Sequence, residues 1–512
     1  MFSFLDKYPA PLRRSILEGS FAAIMTGGAM AFLVPFAVLL GANTIQIGFL
    51  TALPAFLAAW FQLGSIRILE FYKKKKQIVF FSVFVQALSW LAIAALPFIF
   101  QSNQVTWLIA IATAGTVIGS LGMPFWQSWM RSLTPRELLG EYFGMRNAII
   151  GFIVFLSTIV CGYLLDSAIA NTLLYAFIGI FLAGFVGRLI SAYLITKIEE
   201  PEEENPPKVN VNIFGYISKL KNKNFGHFIL FGTLMSFSIA LVAPYVSLYF
   251  LDGLGLKNNY LLYTVLISAG TLTTLISLPY WGHVIDKYGS IKLLKATGLL
   301  VCFYPLLLFL VRDPFWLICV ELIDGVIYSS FNLALANFVY ESFKPAQMIK
   351  YAALQAILFG TAAFAGAMLS GFLQMLPIAI SFLTTPFFVI CILSMILRML
   401  SFLLTIWKVK DVRRTKYIAE DALIMRALTF VPITKFLQGN LGVVVGTTGQ
   451  KISSFEKQAA NKIGKFERGF VNDVEKAEIT AIEDIRKVSE IAKNKAAKTK
   501  NAIEFRIKRG LR

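Results

Sequence analysis

Long apolar stretches recur along most of this chain, and they constrain its fold more than any other feature. They extend from Ser15 to Lys408, and each has the roughly 20 residues that a helix needs to cross a hydrocarbon core about 30 Å thick. Only 15% of the residues are charged and 57% are hydrophobic, whereas soluble domains carry roughly 25% charge. The sequence therefore predicts an all-α membrane protein.

Twelve of these stretches are predicted to be transmembrane helices. Their predicted spans are 15–40, 44–69, 77–100, 107–130, 147–169, 173–198, 228–252, 260–283, 293–311, 315–338, 351–376 and 381–408. Lysine and arginine concentrate in the loops on one side, whereas the opposite loops hold little beyond Lys257 and Arg312. The positive-inside rule therefore predicts that both termini are cytoplasmic. We expect a multi-pass protein of the plasma membrane.

The composition also argues against several other classes of protein. The net charge of +19 lies mostly in the predicted cytoplasmic loops and the tail, where it favours contact with anionic lipid headgroups over nucleic acid. A GxxxxGK[ST] phosphate loop is absent, so ATP-driven transport lacks its site. The cysteines lie in separate apolar stretches without ligand spacing, so we expect no disulfide, zinc site or other cofactor.

An acidic, proline-rich segment, EEPEEENPPKVN from Glu199, separates the first six stretches from the last six. Such a segment favours an interdomain linker because it can neither enter lipid nor readily continue a helix. The predicted parts are two six-helix transmembrane bundles, a linker and a basic amphipathic cytoplasmic tail. They cover residues 1–198 and 228–408 for the bundles, 199–227 for the linker and 409–512 for the tail.

The two halves resemble each other at an offset of about 210 residues. WLIAIATAGTVIGS from Trp107 aligns with WLICVELIDGVIYS from Trp316. The same offset pairs Pro135 with Pro345, and Arg188-x-x-Ser191 with Arg398-x-x-Ser401. Two six-helix halves repeated in one orientation are typical of a large class of secondary transporters, in which substrate binds near the midplane between the halves.

The segment GHVIDKYGSIKLL resembles the loop motif of the major facilitator superfamily. The matching residues are Gly282, Asp286, Lys287, Gly289 and Lys292. The first half offers a more degenerate form, GSIRILEFYKKKK, with Gly64 and Glu70. LTPRELLGEYFGMR, from Leu133, also resembles that family's loop between the fourth and fifth helices. The resemblance covers roughly residues 10–408, and it implies the major facilitator fold with a central cavity lined by helices 1, 4, 7 and 10.

The loop motif suggests a gate between conformational states. A carboxylate such as Asp286, placed just past a helix end, can accept backbone N–H bonds from a neighbouring helix start or pair with a basic residue. We expect these residues to form a latch, and the alternative is a solvated turn.

Two carboxylates interrupt the tenth apolar stretch in the sequence ELIDG, residues 321–325. Asp324 lies eight residues after Trp316, which places it about 12 Å into a core roughly 30 Å thick. Glu321, at i−3, shares much of the same helix face. Acidic residues at the centre of a spanning helix cost roughly 2.5–3.5 kcal/mol to insert, so they normally face a cavity or a partner.

The repeat strengthens the case for these two acids, because Ala112 and Gly115 occupy the aligned positions in the first half. We expect Arg188 and Arg398, which both halves share, to extend toward the cytoplasmic interface as structural residues. No basic residue then lies at the depth of the acids. We therefore expect that one acid is protonated at rest, that a cationic substrate neutralises the pair, or that both compete. The alternative is a purely structural hydrogen bond between helices.

The resemblance implies further candidates for substrate or proton coupling among the polar residues of the cavity helices. The mid-span polar residues of these helices are Thr26, Thr116, Ser120, Thr233, Ser236, Tyr328 and Asn332, and we take Thr116, Ser120, Ser236, Tyr328 and Asn332 as the candidates. Most hydroxyls in membrane helices bond backbone carbonyls, so each of these residues has a structural alternative. We expect Glu18, near the inner end of the first helix, to form a local ion pair with Arg13 and Arg14.

From Ile452 to Ala492 the apolar residues of the tail follow an eleven-residue period. This period favours a straight helical stripe, and the flanking lysines favour a helix lying on the anionic inner leaflet. The alternative is a coiled coil that oligomerises the protein.

The sequence therefore predicts a secondary active transporter that moves a small organic solute by alternating access, with proton coupling as a hypothesis. A transport-inactive scaffold or sensor on the same fold is one alternative. A polytopic membrane enzyme is another, and it would need a nucleophile or a set of metal ligands that the sequence does not offer.

Overall fold

A computed structural model of the chain describes residues 8–71, 74–134, 139–169, 171–200, 224–342, 345–376, 386–412 and 420–428. These residues contain twelve helices that are long and apolar enough to cross a membrane. The prediction of an all-α protein with twelve transmembrane helices is confirmed. The predicted helix of the tail, residues 452–492, lies outside the described residues.

We number the spanning helices α1–α12 in chain order. Those of the first half are α1 (Ala10–Leu39), α2 (Thr44–Phe71), α3 (Lys75–Ile99), α4 (Gln104–Leu133), α5 (Leu139–Asp166) and α6 (Leu173–Thr196). Those of the second half are α7 (Asn224–Gly253), α8 (Tyr260–Tyr288), α9 (Ser290–Leu310), α10 (Pro314–Ser342), α11 (Pro345–Leu373) and α12 (Pro386–Lys408). A short helix, α13 (Glu420–Leu428), follows them.

Several spanning helices depart from regular α geometry at identifiable residues. The segment Met25–Met30 of α1, which includes two glycines, is π-helical, and such segments occur frequently at functional sites. Helix α9 is interrupted between Val301 and Tyr304. Pro305 explains this interruption, because it has no N–H to donate to the carbonyl of Val301 four residues earlier. The break leaves that carbonyl free for another partner.

The buried apolar side chains show how the two halves meet. At the predicted extracellular end, one continuous cluster contains residues from both halves, including Phe36, Phe177, Tyr245 and Tyr260. Toward the opposite end, the other described clusters each belong to a single half. The halves therefore share a core at the predicted extracellular end and have separate cores at the other end. With both termini cytoplasmic, as predicted, this arrangement would be inward-facing.

Small residues allow the helices to approach each other closely. An added Cβ atom on Gly366 of α11 would overlap the backbone carbonyl of Phe237 in α7, and one on Gly27 of α1 would overlap that of Val154 in α5. Glycine at such contacts is typical of helix packing in membranes, where van der Waals contact replaces the hydrophobic effect as the main attraction.

The described part of the chain after α12 packs against the second half. Leu423 and Ala427 of α13 are buried in the apolar cluster of that half. At the start of α7, the side chain of Asn224 exchanges two hydrogen bonds with the backbone of Lys410, of 2.7 and 2.8 Å. Residues 201–223 and 429–512, which include most of the predicted linker and tail, lie outside the described residues.

The substitution Gly366→Ala tests the contact between α7 and α11. We expect it to destabilise the protein by about 1–3 kcal/mol, because overpacking forces the two helices apart. Gly179→Ala on α6 is the matched control, because nothing lies within 4 Å of the added methyl group. Thermal unfolding in detergent should show a lower Tm for Gly366→Ala alone. Equal Tm values for the two variants would contradict this packing.

Candidate functional site

Glu321 lies inside the second half and not on an open face of α10. Its side chain is 9% exposed, and its Oε1 accepts a hydrogen bond of 2.8 Å from the hydroxyl group of Tyr304 in α9. The backbone and carboxylate of Glu321 also lie against Gly270 of α8, where a larger residue would crowd them. Glu321 is therefore held between α8, α9 and α10.

Asp324 is the first residue of a stripe of partly or fully exposed side chains along α10. Its side chain is half-buried, and Tyr328 and Asn332 follow it at steps of four residues, so the three share one helix face. Tyr328 is 36% exposed and Asn332 is exposed. The Asn332 side chain lies beside the Tyr328 hydroxyl. This stripe brings together three of the predicted site residues.

The prediction that the acids have no internal basic partner is wrong. Arg398 of α12 does not extend to the interface, because it is only 2% exposed. It lies twelve residues after Pro386 and Asp324 lies ten after Pro314, about 18 and 15 Å along their helices. The Arg398 guanidinium and the Asp324 carboxylate attract each other electrostatically without being in direct contact.

Backbone and hydroxyl acceptors fix the position of Arg398. Its Nη1 donates to the carbonyl oxygen of Val301 at 2.9 Å, which is the carbonyl that Pro305 leaves free. Its Nε donates to Oγ of Ser394 at 3.1 Å, and the Ser394 hydroxyl donates to the carbonyl of Ser238 in α7 at 2.6 Å. Arg398 thus connects α9 and α12 and, through Ser394, α7.

These residues form one group of charges, which we call the C-half cluster: Glu321, Asp324 and Arg398, with Tyr304 as hydrogen-bond donor. It holds two carboxyl groups that interact with each other and one guanidinium, which lies within electrostatic reach of Asp324. With both acids ionised, the cluster carries one surplus negative charge, which is costly in a low-dielectric interior. One bound proton makes it neutral.

A second buried cluster lies in the first half around Glu18. Glu18 was expected to form a local ion pair with Arg13 and Arg14, but its ionic contacts are with arginines of other helices. Oε2 of Glu18 lies 3.2 Å from Nη2 of Arg146 in α5, and Oε1 lies 3.9 Å from Nη1 of Arg188 in α6. The Ser191 hydroxyl donates to Oε1 at 2.8 Å. Arg14 instead donates to the carbonyl of Lys197 at 2.6 Å. Glu18 reaches other helices because its side chain points into the bundle.

Arg188 was predicted to be a structural residue whose side chain extends toward the cytoplasmic interface. Arg188 does not extend to the interface. Its Nε donates to Oε1 of Gln86 in α3 at 2.8 Å, and its Nη1 donates to Ser191 at 3.3 Å. Both arginines that the repeat shares are therefore held inside their bundles, with different acids nearby.

The other predicted coupling residues do not join the C-half cluster. Thr116 lines a small cleft in the first half with Gln86 and Ser89. Ser120 donates to the carbonyl of Val117 in its own helix at 2.7 Å. Ser236 of α7 is half-buried. In this conformation the Ser120 hydroxyl therefore bonds a backbone carbonyl, as the structural alternative for this residue expected.

The loop motif has a different arrangement from the predicted one. Asp286 and Lys287 are exposed and belong to the last turn of α8, so the placement of Asp286 past the helix end is wrong. Gly289, at φ 88°, makes the turn into α9. Among the described contacts, Glu341 of α10 accepts a hydrogen bond of 3.4 Å from the backbone nitrogen of Ser290 at the start of α9.

Further residues of the motif are only partly described. Gly282 lies within α8 with open space around it, and Lys292 lies in the first turn of α9. Gly64 and Glu70 lie within α2, and their side chains are outside the described part of the structure.

Sequence reasoning missed three parts of the site. Tyr304 is the only hydrogen-bond donor that the described contacts give to Glu321. Val301 contributes only its carbonyl, and Gln86 anchors Arg188. For the Val301 carbonyl the sequence did contain a signal, Pro305, because a proline within a spanning helix frees the carbonyl four residues earlier. The partners of Tyr304 and Gln86 depend on helix rotation, which spacing does not reveal.

The sequence profile of the Major Facilitator Superfamily matches residues 19–367. The chain belongs to the Major Facilitator Superfamily. Among solved structures, the nucleoside transporter NupG is similar with a TM-score of 0.58 and 12% identity, over 78% of this chain and 98% of that chain. A comparison with curated proteins found no sequence match.

Two further solved structures of transporters have the same fold. The D-xylose-proton symporter matches with a TM-score of 0.58 and 13% identity, over 79% of this chain and 98% of that chain. A bacterial homologue of iron transporter ferroportin in its inward-facing state matches with a TM-score of 0.56 and 15% identity, over 78% and 99%. Membership of the Major Facilitator Superfamily makes this multi-pass membrane protein a transporter and not an enzyme.

Glu18→Gln tests the first-half cluster. We expect a loss of about 3 kcal/mol in the free energy of unfolding, because the substitution leaves two buried arginines without a counter-charge. Glu199→Gln is the control, because Glu199 is 75% exposed and lies 3.9 Å from Arg14, and an exposed pair contributes about 1 kcal/mol or less. Denaturant unfolding in detergent measures both variants. A Glu18→Gln variant as stable as Glu199→Gln would contradict the assigned cluster.

Proposed function

We propose that this transporter moves a small organic solute across the plasma membrane by alternating access, and that one proton bound to the C-half cluster drives it. Both termini lie in the cytoplasm in this proposal, as the positive-inside rule predicts. The supporting observation is the charge count of the cluster, in which Glu321 and Asp324 lie three residues apart on α10 and only one buried guanidinium, that of Arg398, lies within electrostatic reach of Asp324.

The two acids have different tasks in this proposal. Asp324 lies within electrostatic reach of Arg398, so the ionised form of Asp324 has a counter-charge. Glu321 is buried with a neutral donor, the Tyr304 hydroxyl, at 2.8 Å. In the inward-facing arrangement, the shared proton therefore resides on Glu321, and Asp324 and Arg398 remain charged.

Loss of this proton would place a second negative charge beside one guanidinium. Arg398 would then be drawn toward the acids and away from the acceptors that fix it, Val301 and Ser394. Those acceptors lie on α9 and α12, and the acids lie on α10, which carries the accessible stripe. Proton binding thus biases how these helices pack, which is the requirement for coupling it to a conformational equilibrium.

Arg398 also bears on the class of solute. A cationic substrate was expected because the acids lacked an internal base, and Arg398 supplies one. The accessible residues of the stripe, Tyr328 and Asn332, offer a phenol and an amide, which form hydrogen bonds with neutral solutes. We therefore propose a neutral solute, with Tyr328 and Asn332 among its contacts. The turn at Gly289 belongs to the cytoplasmic gate in this proposal.

Substitution of Glu321 separates proton coupling from solute movement. A thermal-shift screen of purified protein first identifies a solute, and proteoliposomes then measure its flux. We expect Glu321→Gln, which mimics the protonated acid, to abolish accumulation driven by a pH gradient and to retain counterflow exchange. Asp324→Asn should impair both, because it leaves Arg398 without its counter-charge.

The control is Asp252→Asn, since Asp252 lies at the predicted extracellular end, where it is exposed and paired with Lys257. It should accumulate solute like the unsubstituted protein. Retention of pH-driven accumulation by Glu321→Gln would refute the proton site. Absence of any flux in the unsubstituted protein, for every solute that binds, would favour the scaffold or sensor alternative.

A further inference from the structure

A stripe of exposed apolar side chains runs along α12 and ends at a tryptophan near the predicted cytoplasmic end of that helix. Its members recur every three or four residues, so they share one helix face. They are Ile396, Leu400, Leu403, Leu404 and Trp407. Trp407 is the next-to-last residue of α12 and is 56% exposed. Tryptophan is enriched where the hydrocarbon core of a bilayer meets the headgroups, so this stripe is suited to a lipid chain that ends at Trp407.

Lys295 of α9 places a positive charge against the ring of Trp407. Its Nζ lies 5.0 Å from the ring centroid, which is a cation–π distance. Lys295 follows the first residue of α9 by five residues, about 8 Å along the helix, and a lysine at this depth extends its ammonium group toward the headgroups. The indole and the ammonium therefore form one surface where α9 and α12 meet.

Packing between the two helices holds this surface in place. The ring of Phe402, which is buried in α12, contacts the Trp407 ring edge-on at 6.2 Å between centroids. An added Cβ atom on Gly298 of α9 would lie 3.5 Å from the same Phe402 ring. Trp407 thus rests on a residue that lies in the contact between α9 and α12.

The indole N–H of Trp407 has no acceptor among the described residues, whose contacts with Trp407 are the two ring contacts given above. By contrast, the exposed Trp60 of α2 donates its N–H to the hydroxyl of Thr361 at 3.2 Å. An indole at a membrane interface has one apolar and one polar end, and the polar end normally finds a hydrogen-bond partner. Trp407 therefore offers a donor to an oxygen atom of a lipid headgroup.

The charges around Trp407 favour an anionic headgroup. Lys408 and Lys410 follow it and are exposed, and Asp411 is an exposed acid beside them. With Lys295, these residues comprise three bases and one acid, a net charge of +2. In the predicted orientation this end of α12 lies at the inner leaflet, whose anionic lipids attract basic residues.

The same end of the first half has a similar pair of side chains but a different charge. Nζ of Lys197 in the segment after α6 lies 5.1 Å from the ring centroid of Tyr193, which is exposed. The next charged residues are two acids, Glu199 and Glu200, and the side chain of Glu199 is 75% exposed. These acids oppose an anionic headgroup, so the charge pattern favours the second half alone.

We propose that the surface where α9 and α12 meet binds an anionic phospholipid of the inner leaflet. The phosphate lies among Lys295, Lys408 and the indole N–H of Trp407, and an acyl chain follows the exposed stripe of α12. The lipid thereby fastens the ends of the two helices that Arg398 connects farther inside the bundle. This inference goes beyond the proposed function, since it depends on neither the solute nor the proton.

Lipid titrations of the purified full-length protein in detergent test this site. Native mass spectrometry counts bound dioleoyl phosphatidylglycerol and dioleoyl phosphatidylcholine, and thermal shift measures their effect on Tm. Phosphatidylglycerol should bind more tightly and raise the Tm. Lys295→Gln should weaken its binding about fivefold, the effect of one basic residue near an anionic surface. Trp407→Phe, which keeps an aromatic ring and removes the N–H, should weaken it by roughly the same factor.

Lys197→Gln is the matched control, because it removes the lysine of the other lysine–aromatic pair at the same end of the molecule. It should bind phosphatidylglycerol like the unsubstituted protein. If Lys295→Gln does not fold, Lys408→Gln replaces it and should also weaken binding.

Equal binding of the two lipids would overturn the inference, as would equal weakening by Lys295→Gln and Lys197→Gln, because general attraction to a basic surface would then explain the result. Inorganic phosphate should leave the Tm unchanged. If phosphate raises the Tm as much as phosphatidylglycerol does, the site takes a soluble anion and the lipid assignment is wrong. Solute flux enters none of these measurements, so this inference and the proposed function fail separately.

Discussion

A guanidinium group buried in an apolar helical bundle must be surrounded by acceptors, because its desolvation is otherwise too costly. Two such groups, Arg188 and Arg398, lie at equivalent positions of the duplicated halves, and much of the polar structure of each half is arranged around them. Arg188 is satisfied by Gln86, Ser191 and Glu18. Arg398 is satisfied by Ser394 and by a carbonyl that a proline releases.

The two halves differ in the charge that accompanies this shared arginine. The first-half cluster has one carboxylate and two arginines, Glu18 with Arg146 and Arg188, in direct contact or close to it. The C-half cluster has two carboxyl groups and one arginine. The C-half cluster borders an exposed stripe of α10, through Asp324 and Tyr328. Duplication thus supplied the arginine twice, and the acids that surround it diverged.

Apolar length, the duplicated segments and the loop motif were sufficient to predict the twelve helices and the family. They also singled out Glu321 and Asp324, because a carboxylate in an apolar helix is conspicuous. The partner Arg398 was misplaced because its long side chain was expected to extend toward the cytoplasmic interface, whereas it stays buried and donates to Ser394 and to the carbonyl of Val301. The contacts of Glu18 and Tyr304 could not be predicted, since they depend on how each helix is rotated toward its neighbours.

The central claim is that the C-half cluster holds one proton and that Glu321 carries it. Infrared difference spectroscopy of the full-length protein in lipid tests this directly, because a protonated carboxyl group has a C=O stretching band that a carboxylate lacks. We predict one such band from a buried acid, absent in Glu321→Gln and retained in Asp252→Asn. A spectrum that Glu321→Gln leaves unchanged would contradict the claim.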